Sequence, residues 1–205
     1  MERFAFLDLE GVLYPEIWEI YAHKLGLPEL AKTTREEPDF KKLVSERIKI
    51  LKKNNVQLQH LSMLSKQIKL LDGALDFVKS LQKMHFDIYI VTDAFLEIIG
   101  DSVKNLGVCN IYPNHFICDE SGYITDAIYM REKGKYEILE QILKEKRNAY
   151  SIGIGDTFND FTMLDYADDG FLFNPSQQAL LMASPNFRVV RNYDQITEYL
   201  KGKLE

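Results

Sequence analysis

The sequence predicts an α/β fold: a mostly parallel sheet with helices on both faces, interrupted after its first strand by an inserted helical cap. Three observations carry this expectation. From residue 72 onward, short apolar runs alternate with amphipathic stretches, the pattern of successive strand–helix units. Residues 15–71 hold helical patterns and no convincing strand, so they read as an insertion. Asp8, Thr92 and Asp156 each fall at or just after an expected strand end, where sheets of this class bind ligands. The expected organisation is a core of residues 1–14 and 72–205 with a cap at 15–71.

Each element follows from local pattern. Residues 3–9, RFAFLDL, are short, apolar and aromatic, and stop at the turn signal Glu10-Gly11, as a buried strand does. Residues 17–25 place apolar side chains at helical spacing. The polar stretch 30–40 contains Pro38 and is expected to connect. Residues 40–51 form an amphipathic pattern with Leu43, Arg47 and Ile50 roughly aligned. Residues 58–70 read as another helix. Asp72 is placed to cap the helix that runs to Met84. A strand at 87–92 and a helix at 95–106 follow. Ser121-Gly122 lies between two β-prone runs in 115–129, which predicts a hairpin. A helix at 135–144, a strand at 150–154 and a short helix come next. Strands at 170–173 and 187–190, a helix near Gln177 and a last helix at 193–200 complete the pattern.

Composition bounds the function. The 205 residues are 46% hydrophobic, enough for one substantial core with room for a small subdomain. The formal charge is -6 and there is no long basic run, which argues against a nucleic-acid partner. No stretch nears the ~20 apolar residues of a membrane span, and the first ten residues lack an apolar signal core. A cytoplasmic location is expected. Cys109 and Cys118 have no metal-ligand spacing and are expected to be free thiols. The oligomeric state is left open. An acidic chain that handles an anionic substrate needs local cations, from a metal ion or from placed Lys and Arg.

Two acidic groupings carry the chemistry. Asp8 and Glu10 close the first strand two positions apart, on one face. Such a pair divides the work of nucleophile and general acid–base. The second grouping is GDTFND, residues 155–160, in which Asp156 follows a strand and Asn159 and Asp160 open a helix. Carboxylates there suit a hard cation such as Mg²⁺, which takes oxygen ligands. Taken singly, the first reads as a polar strand exit and the second as a capped helix. Their order and combination decide otherwise.

Together these residues resemble the haloacid dehalogenase superfamily. Asp8-Leu9-Glu10 matches its first motif, Thr92 in IVTDAF its second, Lys135 in GKYEIL its third, with Lys133 the alternative, and GDTFND its fourth. The order agrees over the whole chain. DLEGVLYPEIW and TTREEPDF further resemble a group of bifunctional phosphoserine phosphatases and homoserine phosphotransferases, which carries Glu at the second acidic position. The resemblance implies a parallel sheet of Rossmann type and a Mg²⁺-dependent phosphatase of serine biosynthesis. Asp8 would become an aspartyl phosphate, with Glu10, Thr92 and Lys135 also catalytic. Asp8, the Glu10 carbonyl, Asp156 and Asp160 would serve the metal. Glu16, Arg47, Thr92, Asp93, Lys135 and Asn159 would bind substrate, a small phosphorylated metabolite such as an amino-acid phosphate. In that case Glu16 meets the ammonium and Arg47 the carboxylate. Transfer from phosphoserine to homoserine is the first alternative. A phospho-aspartate signalling or binding module without turnover is the second.

Overall fold

The computed structural model describes residues 1–204. The chain runs β1 (Glu2–Leu7), α1 (Ile17–Leu25), a 3₁₀ turn (Pro28–Ala31), α2 (Phe40–Lys53), α3 (Leu58–Ser65), α4 (Ala74–Lys83) and β2 (Phe86–Phe95). Then come α5 (Leu96–Lys104), β3 (Asn110–Cys118), β4 (Ile124–Ile128), α6 (Tyr136–Leu143), β5 (Ala149–Gly155) and a 3₁₀ turn (Phe158–Asp160). The chain ends with α7 (Phe161–Tyr166), β6 (Asp169–Phe173), α8 (Gln177–Met182), β7 (Arg188–Val190) and α9 (Tyr193–Leu204).

The seven strands form one sheet in the order β4-β3-β2-β1-β5-β6-β7. All pairings are parallel except the β3–β4 hairpin. β1 is central, which explains its unbroken apolar run: Phe4 to Leu7 are buried with cover on both faces. One face carries the larger core, to which α4, α5 and α9 contribute Phe77, Val78, Ile98, Ile99, Ile196 and Leu200. The other packs Phe4, Phe6 and Val91 against Ile138, Leu139, Met163 and Leu164 of α6 and α7. The strand order reverses at β1, with β2 on one side and β5 on the other. A crevice therefore opens at their carboxyl ends.

Between β1 and β2 the described chain makes only helices and turns until α4. In α2, Leu43, Val44, Arg47, Ile48 and Leu51 are buried, so the inward stripe is set by spacings of four and Ile50 sits at its edge. The two ends of this stretch meet where the Leu71 N–H donates to the Leu13 carbonyl at 3.0 Å. The β3–β4 hairpin leans on it: Leu58 N donates to Gly122 O, and Gln57 Nε2 to Ser121 O.

Several boundaries differ from expectation. β1 stops at Leu7, because the Leu9 carbonyl already accepts the amides of Leu13 and Tyr14 in a tight turn. α3 ends at Ser65, whose hydroxyl bonds back to Leu61 O and to Tyr21 Oη. α4 is capped by Gly73, not Asp72: the chain enters at φ 82°, a conformation glycine adopts without strain. β2 continues past Thr92 to Phe95, but its ladder with β3 breaks between Val91 and Phe95. Three residues of β2 there face a single residue of β3, Pro113, which has no amide hydrogen to give. Cys109 and Cys118 are exposed free thiols. No helix among the described residues is long and apolar enough to cross a membrane.

Candidate active site

Asp8 is the first residue beyond β1. Its amide still donates to Ile154 O of β5, at 2.9 Å, so its backbone position is fixed by the sheet. Its Oδ1 accepts from the amide of Leu9 at 2.7 Å and from Lys135 Nζ at 2.8 Å. Lys135 is the residue before α6 and is 1% exposed. Its ammonium also meets Asp160 Oδ1 at 2.6 Å. Lys133, the alternative, is exposed.

Asp160 is fully buried, and its Oδ2 accepts from the amides of Asp156 and Thr157 at 2.9 and 3.1 Å. This carboxylate closes the turn after β5, and Gly155 admits it. A Cβ on Gly155 would lie 2.2 Å from Asp160 Cβ. A Cβ on Gly11, at φ +76°, would lie 2.5 Å from Asp156 Cγ. Glycine at 11 lets the turn after Glu10 pack against the Asp156 carboxylate.

Oxygens of Asp8, Asp156 and Asp160 lie within 4.8 Å of one another, with Lys135 the ammonium paired to two of them. Asp156 takes no hydrogen bond on its carboxylate from the described residues and opens to the cleft. Burial, then repulsion from Asp160 and Glu16, pushes Asp156 up to about 8, against the pull of Lys135. Burial and the charges of Asp160 and Asp156 likewise raise Asp8 well above the carboxylate range. Burial alone would lower Lys135, but Asp160, Asp8 and Asp93 raise it, so the ammonium stays charged. Buried carboxylates in excess over cations, one of them free of protein donors, fit a hard cation.

Glu10 turns away from this cluster. Its Oε1 accepts the Ile17 amide at 2.8 Å. Burial and the neighbouring Glu16 push it up to about 7, partly offset by that amide, Arg47 and Lys135. Thr92 is buried, and its Oγ1 accepts the Ala94 amide at 3.1 Å. Asp93 is fully engaged: Oδ1 takes Arg131 Nη2 at 2.9 Å and Oδ2 takes Asn159 Nδ2 at 2.7 Å. Burial works to raise Asp93, yet Lys135, Arg131 and these bonds hold it below the usual range.

The site opens into a cleft of about 650 Å³, lined by Asp8, Glu10, Glu16, Arg47, Thr92, Asp93, Lys135, Asp156 and Asn159. Asp160 lies beneath it. Arg47 is 5% exposed and its guanidinium sits 4.3 Å over the Trp18 ring. Nη2 donates to Lys32 O at 2.7 Å, while Nε is buried without a partner. Burial brings Arg47 down to about 10, against the attraction of Glu10 and Glu16. Arg35, Asn174 and Phe158 also line the cleft and carry no sequence pattern that marks them. Arg131 was likewise unmarked; Pro113 inside a strand was the signal of a ladder break that some other group must repair.

The chain matches the haloacid dehalogenase-like hydrolase family over residues 3–168. It is 34% identical over 202 residues to a phosphoserine phosphatase of Pseudomonas syringae pv. tomato, covering 98% of this chain and 83% of that one. It is 33% identical to the phosphoserine phosphatase ThrH of Pseudomonas aeruginosa, covering 98% and 96%. In fold it is similar to a phospho-aspartyl intermediate analogue of phosphoserine phosphatase, with TM-score 0.80, 20% identity and coverage of 97% and 98%.

Proposed function

The chain belongs to the haloacid dehalogenase-like hydrolases, and from that premise we propose that it is a Mg²⁺-dependent phosphomonoesterase acting on phosphoserine, with Asp8 as nucleophile. The observation that carries this is the Asp8 carboxylate itself. One oxygen is held by Lys135 and the Leu9 amide, and the residue faces a cleft shared with Asp156. The second oxygen, Oδ2, attacks phosphorus in line. The phosphorus–ester bond breaks as the Asp8–phosphorus bond forms, and Glu10, raised to about 7, gives its proton to the departing serine oxygen. Glu10, now a carboxylate, takes a proton from water as that water attacks phosphorus. The bond to Asp8 breaks, and phosphate leaves. Lys135 and the hydroxyl of Thr92 stabilise charge on the phosphoryl oxygens. Asp8, Asp156 and the Glu10 carbonyl, with Asp160 behind them, would hold Mg²⁺, whose positive charge would keep the carboxylates ionised and let two anions approach.

Residues 15–71 act as the cap. They bring Glu16 and Arg47 to the mouth of the cleft, where the substrate ammonium and carboxylate bind. The unpartnered Nε of Arg47 supports the second role, since a buried donor without a partner costs about 1–3 kcal/mol until an acceptor arrives. A small phosphorylated metabolite is thus the partner, and a cytoplasmic place in serine biosynthesis goes with it. A second reading, transfer to homoserine, is compatible with a cleft of about 650 Å³, midway in the about 300–1,000 Å³ of small-molecule sites. Purified protein with Mg²⁺ should release phosphate from phosphoserine, and Asp8→Asn should abolish release. Full activity in Asp8→Asn refutes the mechanism. Phosphohomoserine, sought by mass spectrometry when homoserine is added, decides the second reading. A stable aspartyl phosphate without turnover would return the chain to the signalling alternative.

A further inference from the structure

The break in the β2–β3 ladder leaves work for side chains. The register shifts between Val91 and Phe95, so the carbonyl of Thr92 falls in the gap in the ladder, just past the last pair, Val91 with Tyr112. Arg131, in the connection between β4 and α6, bridges this gap. Its Nη1 donates to Tyr112 O at 2.8 Å and its Nη2 to Thr92 O at 2.6 Å. The same Nη2 reaches Asp93 Oδ1 at 2.9 Å, and Asp93 passes the connection on to Asn159 at 2.7 Å. Asn114 fixes the other side of the segment, donating to Asp93 O at 2.9 Å. The Arg131 side chain is 4% exposed and is absent from the cleft wall, so anything it does to a ligand it does through Thr92, Asp93 and Asn159.

We propose that Arg131 is a positioning residue: it holds the Thr92–Asp93 segment where the Thr92 hydroxyl and Asn159 meet the phosphoryl group. The proposal rests on the cleft being a phosphomonoester site. The Thr92 Oγ1 already accepts the Ala94 amide, so its own hydrogen is the end left for the ligand. Its direction depends on where the Thr92 peptide sits, and Arg131 sets that through the carbonyl. A guanidinium suits the task because its planar fork reaches two carbonyls and a carboxylate together, whereas an ammonium is a single point donor.

The test is Arg131→Lys beside wild type, with inorganic phosphate as the probe, titrated by ³¹P NMR in the presence of Mg²⁺. Phosphate binding should weaken about 10–100-fold, the loss expected for one or two charge-assisted hydrogen bonds. KM for phosphoserine should rise with it, and Mg²⁺ affinity should stay within about twofold of wild type, since no carboxylate of the cluster touches Arg131. In Arg131→Ala, added guanidinium at sub-denaturing concentration should recover phosphate affinity, which repair of a general loss of stability would not do. Should Arg131→Lys fail to fold, Asp93→Asn, which cuts the same relay at its next member, is measured in the same way and should weaken phosphate comparably. Wild-type phosphate affinity in a folded Arg131→Lys or Asp93→Asn protein would overturn the proposal. A wild-type protein that binds phosphate but hydrolyses no phosphomonoester fails the phosphatase reading and leaves this comparison decisive. One that binds no phosphate overturns both.

Discussion

Lys135→Met removes the one ammonium that pairs with the acidic cluster while keeping a flexible side chain to fill its space. Lys135 is 1% exposed and holds Asp8 at 2.8 Å and Asp160 at 2.6 Å. Asp160 keeps its two amide donors in the variant, so the chief loss is the ion pairing. Leaving a buried partner uncompensated costs about 3–5 kcal/mol. For a chain of this size each kcal/mol lowers Tm by about 2–4 °C, so a fall of about 6–20 °C is expected. Calorimetry in chelator at pH 8 reads it. The deficit should shrink as pH falls. Asp156, at about 8, and Asp8 have folded-state values raised above the unfolded ones, so proton uptake on acidification relieves the unbalanced charge. Mg²⁺ should raise Tm more in the variant than in wild type, because no competing ammonium remains beside the ligands. A Tm within about 2 °C of wild type in chelator would refute the claim that Lys135 balances this cluster.

Three further outcomes follow from the geometry. Gly11→Ala forces a left-handed residue and sets a Cβ against the Asp156 carboxylate; it should cost about 1–2 kcal/mol and weaken Mg²⁺ binding, read by titration calorimetry. Arg47→Ala should raise KM for phosphoserine about 10–100-fold and leave turnover of p-nitrophenyl phosphate, which has no carboxylate, near wild type; equal effects on both would remove Arg47 from recognition. Asp169 is bonded by Lys203, Arg188, Tyr150 and Tyr199 and is held below its usual value, burial opposing and Lys203 leading the pull. Asp169→Asn should cost about 1–2 kcal/mol, limited because Lys203 and Arg188 are half solvated. That contribution is present above the unfolded value of about 3.9 and is lost as pH falls through the depressed folded one, so urea midpoints of the two proteins should converge in acid.

The strands and the residues at their ends were legible in the sequence because two-sided burial leaves a run such as RFAFL with no polar interruption, and Asp8, Thr92 and Asp156 stand where those runs stop. The hairpin was legible from Ser121-Gly122. What was hidden depends on pairs distant in the chain. Nothing local in ALDFVK reveals that Gly73, rather than Asp72, begins α4. The first half of β3, residues 110–114, had no local signal, since a strand that holds Pro113 and mixes polar residues has weak periodicity. Arg131 sits in an irregular connection, and its role exists only because β2 and β3 part company beside it. Asp160 matched the metal pattern by spacing; what spacing did not show is that both its oxygens are spent on Lys135 and two amides.

The central place of β1 has a consequence for synthesis of the chain. Its residues are translated long before those of its neighbour β5, which begins at Ala149. At about 5–20 residues per second, the nascent Phe4–Leu7 segment waits on the order of 7–30 s for that edge to be covered. Throughout that interval an oily ribbon with one open flank is a template for unwanted association between chains. Slower elongation, or loss of a holding chaperone, should therefore lower soluble yield before it alters anything in the finished enzyme.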